Sequence, residues 1–281
     1  MNTYLWLVRR EFWERRSIWI VPAVIAGLVI LVSLFGKTQF FVLDSQTEIR
    51  ELGAAHLAGM GALFFSVMSL CVTLYYLDCL YDDRRDRSIL FWKSLPVSDT
   101  ETVLSKLVMG MLVFPVLYYV LAEFTALITA LIVSVRAHSM VGGALWQGDL
   151  WLQIQVVWLW FIVTSAIWYL PVVGWLLLVS AAVKRAPMLW SVLPFLVIYL
   201  LEHYFLGTHY LGTLLGQRLA GYPATAFHVV SNPDIARVAQ RVLRLIDVQG
   251  FFSSPQTWIG LAVGVALIVG TIQVRMRRSE V

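Results

Sequence analysis

Charge is scarce in this sequence. Asp, Glu, Lys and Arg make up 14% of its 281 residues, and hydrophobic residues make up 59%. Soluble domains carry about 25% charged residues. A water-soluble domain of this size could not cover so much apolar surface, so the composition points to an integral membrane protein. Cysteine is nearly absent. Cys71 and Cys79 stand alone, about 12 Å apart along a helix axis, too far for a disulfide, and no nearby His makes them metal ligands. A GxxxxGK[ST] sequence is missing, so the chain has no phosphate cradle of that kind. HExxH, Ser/His and paired-Asp constellations at bilayer depth are missing too, which counts against a membrane-embedded enzyme. The net charge is only +4, which makes no case for nucleic acid. The basic residues read better as topology signals.

Long apolar runs are what the sequence does have. Six are expected to span a membrane: residues 18–35, 56–80, 103–135, 151–183, 188–206 and 257–274. The run 103–135 exceeds what one crossing needs and is expected to tilt or project. The run 151–183 contains Pro171 and Gly174 and is expected to kink. Residues 1–17 read as an amphipathic interfacial helix. Leu5, Val8 and Phe12 share a face, while Arg9, Glu11, Glu14, Arg15 and Arg16 are spread over the rest. Trp6, Trp13 and Trp19 suit the headgroup level. Val8 to Phe12 faintly resembles a twin-arginine export signal, but no small-residue cleavage site follows, so a retained span is expected. The second span carries a ladder of small residues, Ala54, Ala55, Ala58, Gly59 and Ala62, which allows close helix approach. Packing within one subunit and a dimer seam explain the ladder equally well. On the last span, Gly260 and Gly264 read as ordinary helix packing.

Residues 207–256 form a long outer segment. Its first half is Gly-rich and half apolar, which suits a segment that re-enters the membrane or lies on it. Its second half carries a helix start at Asn232, Pro233 and Asp234, with Gly250 as the stop. With both termini in the cytoplasm, 14 of the 21 Lys and Arg residues fall inside and 7 outside. Four of the outside residues lie in the long last loop, where the positive-inside rule is weak.

Residues 81–102, between the second and third spans, are the most charged part of the chain. Ser98-Asp99-Thr100-Glu101 is a capping box that opens the third helix. Leu95-Pro96 forces an extended entry to it. Ser88 to Ser94 can form two helical turns, with Ile89, Phe91, Trp92 and Leu95 offering apolar contacts. A short cytoplasmic helix with aromatic and basic residues suits a groove on a soluble partner. Two further sets of polar residues lie within the spans. Glu123 is mid-span in the third helix and is read as functional by default; a structural, helix-paired Glu is the alternative. Glu202 and His203 end the fifth span; with His209 they could suggest a metal, but their spacing does not make up a ligand set. Glu123, Glu202 and His203 are the candidates for a translocation path.

The stretch between the second and third spans resembles that of ABC-2-type ABC transporter permeases. The match is Asp83-Arg84, the helix Arg87 to Ser94, Leu95-Pro96-Val97-Ser98, and Lys106. Asp83 stands where the family more often has Glu, and Arg87-Ser88 where it often has Gly-Thr. The resemblance implies an all-α integral membrane protein of six transmembrane helices. It would have an N-terminal interfacial helix, a cytoplasmic coupling helix between spans 2 and 3, and a re-entrant or amphipathic outer segment before span 6. It implies two permease copies paired with two ABC ATP-binding subunits in the plasma (inner) membrane of a bacterium, exporting a substrate. ATP and Mg would sit on the partner, with no cofactor in this chain. Asp83, Arg84, Arg87, Phe91, Trp92, Lys93, Leu95 and Pro96 would couple to the ATPase, and Ser98 and Glu101 would cap the helix behind them. The alternatives are an ATP-independent carrier and a membrane-embedded enzyme. A carrier of that kind would favour broken helices in both halves, and only the Pro171 region looks broken.

Overall fold

The computed structural model describes residues 3–36, 46–85, 98–137, 146–228 and 242–277. Among the described residues there are helices and no strands. Six of the helices are long and apolar enough to cross a membrane. The chain is a multi-pass membrane protein whose described residues are mainly helical.

Helix α1 (Thr3–Glu14) turns at Arg15 into α2 (Ser17–Phe35). The inward side of α1 carries Leu7 and Glu11, both buried, with Val8 and Phe12 packed against the core. Glu11 therefore departs from the expected pattern, in which it belonged with the polar residues. A carboxylate can face inward here because a cation meets it there.

Helix α3 (Gln46–Arg85) runs unbroken for 40 residues, on the order of 60 Å at 1.5 Å per residue. Its first ten residues, Gln46 to Ala55, precede the expected start of the second span at residue 56. The third span is a rod in three parts: α4 (Asp99–Val108), a π-turn at Met109–Val113 and α5 (Phe114–Ala137). Its exposed face is one apolar stripe through Leu112, Val116, Val120, Phe124, Leu127, Leu131 and Val135. The stripe is roughly 35 Å long by helix rise, which a hydrocarbon core of about 30 Å accommodates by tilt. Arg136 ends the stripe. Its guanidinium donates to the carbonyls of Ser33 (2.6 Å) and Gly36 (3.0 Å) at the end of α2.

The fourth span is broken, as expected, into α6 (Gly148–Trp168) and α7 (Leu170–Ala182). The break falls at Tyr169, so Pro171 occupies the first turn of α7, where its missing N–H costs nothing. Helix α8 (Pro187–Leu201) continues through a π-turn at Glu202–Leu206. Beyond it lie α9 (Tyr210–Ala220), α10 (Tyr222–Ala226), a 3-10 turn at Val242–Leu245, α11 (Val248–Ser253) and α12 (Pro255–Arg277). Phe227 and Ile246 form an isolated antiparallel bridge.

The start of the helix expected from Asn232 lies outside the described residues. Its end differs from expectation. The Asp247 side chain accepts the Gly250 N–H at 2.6 Å and opens α11, so Gly250 lies inside a helix and does not stop one. Gly264 of α12 does serve packing within the chain. A Cβ there would lie 2.8–2.9 Å from Leu170 and Pro171, so its absence lets α12 touch the break in the fourth span.

Candidate functional site

A buried ionic network gathers at the end of the bundle where α3 stops and α4 begins. Four elements feed it. Lys106 of α4 is the centre, with its side chain 2% exposed. Its ammonium lies 2.7 Å from Glu11 of α1 and 3.3 Å from Asp83 of α3. Asp83 also lies 3.4 Å from Arg275 of α12, and Arg275 lies 2.8 Å from Asp99 of α4. The Tyr75 hydroxyl donates to Glu11 at 3.2 Å. Isolated charges are costly to bury, and mutual pairing with hydrogen bonding is what makes such a site tolerable.

A second set of contacts surrounds the first. Arg84 donates to the carbonyls of Ser180 and Val183 (2.8 Å to Val183) at the end of α7, where a cation suits the helix dipole. The Ser180 hydroxyl in turn accepts the backbone N–H groups of Leu80 (3.1 Å) and Tyr81 (3.0 Å). Arg15, at the turn between α1 and α2, pairs with Asp82 at 2.8 Å. Burial opposes the Arg15 charge, but Asp82, with smaller help from Cys79 and Glu11, outweighs it and holds the Arg15 pKa above its usual value.

The capping box forms as the sequence predicts. The Ser98 hydroxyl accepts the Glu101 N–H at 3.1 Å, and Glu101 accepts the Ser98 N–H at 2.8 Å. Asp99, in the first turn, holds Arg275. The cap and the ionic network therefore share one helical turn.

The expected coupling residues divide into two groups. Asp83 and Arg84 are locked into the contacts above. Arg87, Phe91, Trp92, Lys93, Leu95 and Pro96 lie outside the described residues.

The candidate path residues do not converge. Glu123, half-buried beside the exposed stripe, accepts hydrogen bonds from Trp151 (3.0 Å) and Gln155 (2.8 Å) of α6, and Gln155 in turn accepts from Tyr119. Glu202 accepts from the Thr208 hydroxyl (2.9 Å) and from the backbone N–H groups of Tyr210 and Leu211 (2.8 Å to Leu211), so it caps α9. His203 lies beside Tyr199 and His209, its ring centroid 5.0 Å from that of His209. Among the described residues, no three His, Cys, Asp or Glu side chains are placed to hold a metal.

Sequence reasoning missed Glu11, Asp99 and Arg275 as members of one cluster. Lys106 was singled out as a motif residue, but its partners lie far away in the chain. One signal was available: Leu7 and Glu11, four residues apart, share a helix face. Set against protein-family models, curated proteins and solved structures, the chain matches none.

Proposed function

We propose that the chain is the membrane-spanning subunit of an ABC exporter, paired with a second copy of itself. A separate ATP-binding subunit hydrolyses ATP and drives it. Both termini lie in the cytoplasm of a bacterium, and the ionic network is at the cytoplasmic face. One observation supports this reading above the others. The segment joining the second and third spans is mounted between Asp83-Arg84 and Ser98-Asp99, and both mounts are tied into the same buried network.

The mechanical consequence follows from those contacts. Force applied to residues 86–97 would pass through Asp83 and Asp99 to Lys106 and Arg275, and from there to α1 and α12. Arg84 would carry it to the end of the fourth span. A loop that only linked two helices would need none of these ties. A surface that receives the closure of a soluble ATPase needs all of them, because the spans must move as a set.

The test is co-expression with an ATP-binding cassette protein encoded beside this chain's gene. Co-purification and transport-linked ATP hydrolysis are measured. Phe91→Ala combined with Trp92→Ala is expected to weaken assembly or uncouple hydrolysis while the chain still inserts in the membrane. Full binding and full coupling in that double variant would overturn the assignment.

A further inference from the structure

A long groove lies between the second and fourth spans. Its walls are α3 from Ala58 to Tyr76 and α6 from Val157 to Ala166, continued by Val172 and Leu176 of α7. Gly110 and Met111, in the π-turn of the third span, form its floor, and Tyr222, Pro223 and Phe227 close one end. Tyr76 packs against Gly110, where a Cβ would not fit. The volume is about 900 Å³.

Chemistry narrows the occupant. None of the lining residues is Asp, Glu, Lys, Arg or His. Seven hydroxyls line the groove, and six of them donate to carbonyls of the chain itself. Ser66 donates to Ala62, Thr73 to Ser69 and Ser165 to Ile162; Tyr76 donates to Leu107, Tyr169 to Leu219 and Tyr222 to Phe161. The wall therefore offers few free donors, the Ser69 hydroxyl and the Trp158 indole N–H, and no charge, which suits an apolar occupant better than a charged one. The carboxylate of Glu123 and the amide of Gln155 lie outside the lining. Phe65 of α3 stacks on Trp158 of α6 with centroids 4.9 Å apart and meets Phe161 edge-on at 5.3 Å, an apolar contact that joins the two walls.

Shape narrows it further. From Ala58 to Tyr76 the groove follows a single helix for about 27 Å. Extended methylene chains can lie along such a groove, and the bilayer supplies them over a hydrocarbon thickness of about 30 Å.

We infer that this groove binds the hydrocarbon chain of a lipid, admitted sideways from the bilayer past Ser66, Ser69 and Thr73. This rests only on the chain spanning a membrane and needs no ATPase partner, so its failure and that of the exporter reading are distinguishable.

The test uses the full chain in vesicles of phosphatidylethanolamine and phosphatidylglycerol. These are doped either with phosphatidylcholine carrying a diazirine on one acyl chain or with a diacylglycerol carrying the same group. After illumination, labelled peptides are mapped by mass spectrometry. Label is expected to concentrate on residues 58–76 and 157–176. Ser69→Trp, which fills the groove, is expected to cut that labelling on the order of tenfold. Val263→Trp, on the exposed face of α12, is expected to leave it unchanged. If Ser69→Trp does not insert, Ala166→Phe on the opposite wall takes its place. Equal labelling by both probes identifies bulk bilayer lipid as the source, and preference for the diacylglycerol identifies a neutral lipid; either supports the inference. Labelling spread evenly over all lipid-facing helices, or unaltered by filling the groove, overturns it. So does a groove-filling variant that changes the oligomeric state and leaves the label in place, because the groove would then be a seam between copies.

Discussion

Lys106 and Glu11 show what a single residue can decide in this protein. Lys106 is almost wholly enclosed and holds two carboxylates from different helices. Replacing it with Met keeps the bulk and removes the charge, leaving Glu11 buried without its cation. Breaking a buried pair from one side costs about 3–5 kcal/mol. Lys106→Met is therefore expected to lower the melting temperature in detergent sharply. Adding Glu11→Gln should recover much of the loss, because Asp83 keeps Arg275. A double-mutant cycle read by thermal melts checks this; additive losses would mean that the two residues do not act as a pair. Glu123 makes a contrasting case. Glu123→Gln keeps an oxygen for Trp151 and Gln155, whereas Glu123→Leu orphans both donors, at a cost of about 1–3 kcal/mol. The Leu variant is expected to melt lower than the Gln variant, and equal melting temperatures would show that these bonds contribute little. Neither the Lys106 cluster nor the partners of Glu123 could be read in the sequence. Each is a contact between helices, and periodicity within a helix says which face is polar but not what it meets.

Elements were more legible. The six spans follow from apolar run length, because a membrane helix must satisfy its own backbone. Their boundaries moved where helix propagates into polar sequence, as at Gln46 to Leu52. The break in the fourth span was legible from Pro171 but falls at Tyr169, since Pro is best placed in the first turn of a helix. The cap at Ser98 was fully legible because it is a local pattern. Ser98→Ala should cost about 1 kcal/mol and loosen the turn that also carries Asp99. Faster hydrogen exchange at residues 99–102, with the later part of the helix unaffected, is the expected readout. Unchanged exchange there would mean that the Arg275 tie alone holds the turn. The π-turn at Met109–Val113 had no sequence signal, and its Gly110 matters because Tyr76 needs the space.

At the scale of the whole molecule, the sequence establishes the class, and the assembly sets what the class is used for. The groove draws its walls from α3, α6 and α7 and its closed end from the outer segment. No single stretch of sequence announces it. Charge is sorted along the bundle in the same way. One end carries the ionic network, while between the ends Glu123 with its amide and indole partners, and His56 with Thr129, interrupt the apolar spans. The far end is tied by Arg218, which stacks on Trp168 at 4.4 Å and donates to the Gln256 carbonyl at 2.9 Å. Burial lowers the pKa of Arg218. Arg218→Ala should free α9 from the break in the fourth span, and a new protease-sensitive site in residues 207–256 of the membrane-inserted chain would report it. Undiminished resistance to proteolysis would place the tie elsewhere.

The ionic network also imposes an order on biogenesis. It joins Glu11 of α1 to Arg275 of α12, which is made after every other member of the network. Until the sixth span emerges, Asp83 has Lys106 but Asp99 lacks the arginine that pairs with it. A chain cut short before Arg275 thus leaves Asp99 without that cation, and it should be cleared faster than the untruncated chain in a pulse-chase experiment.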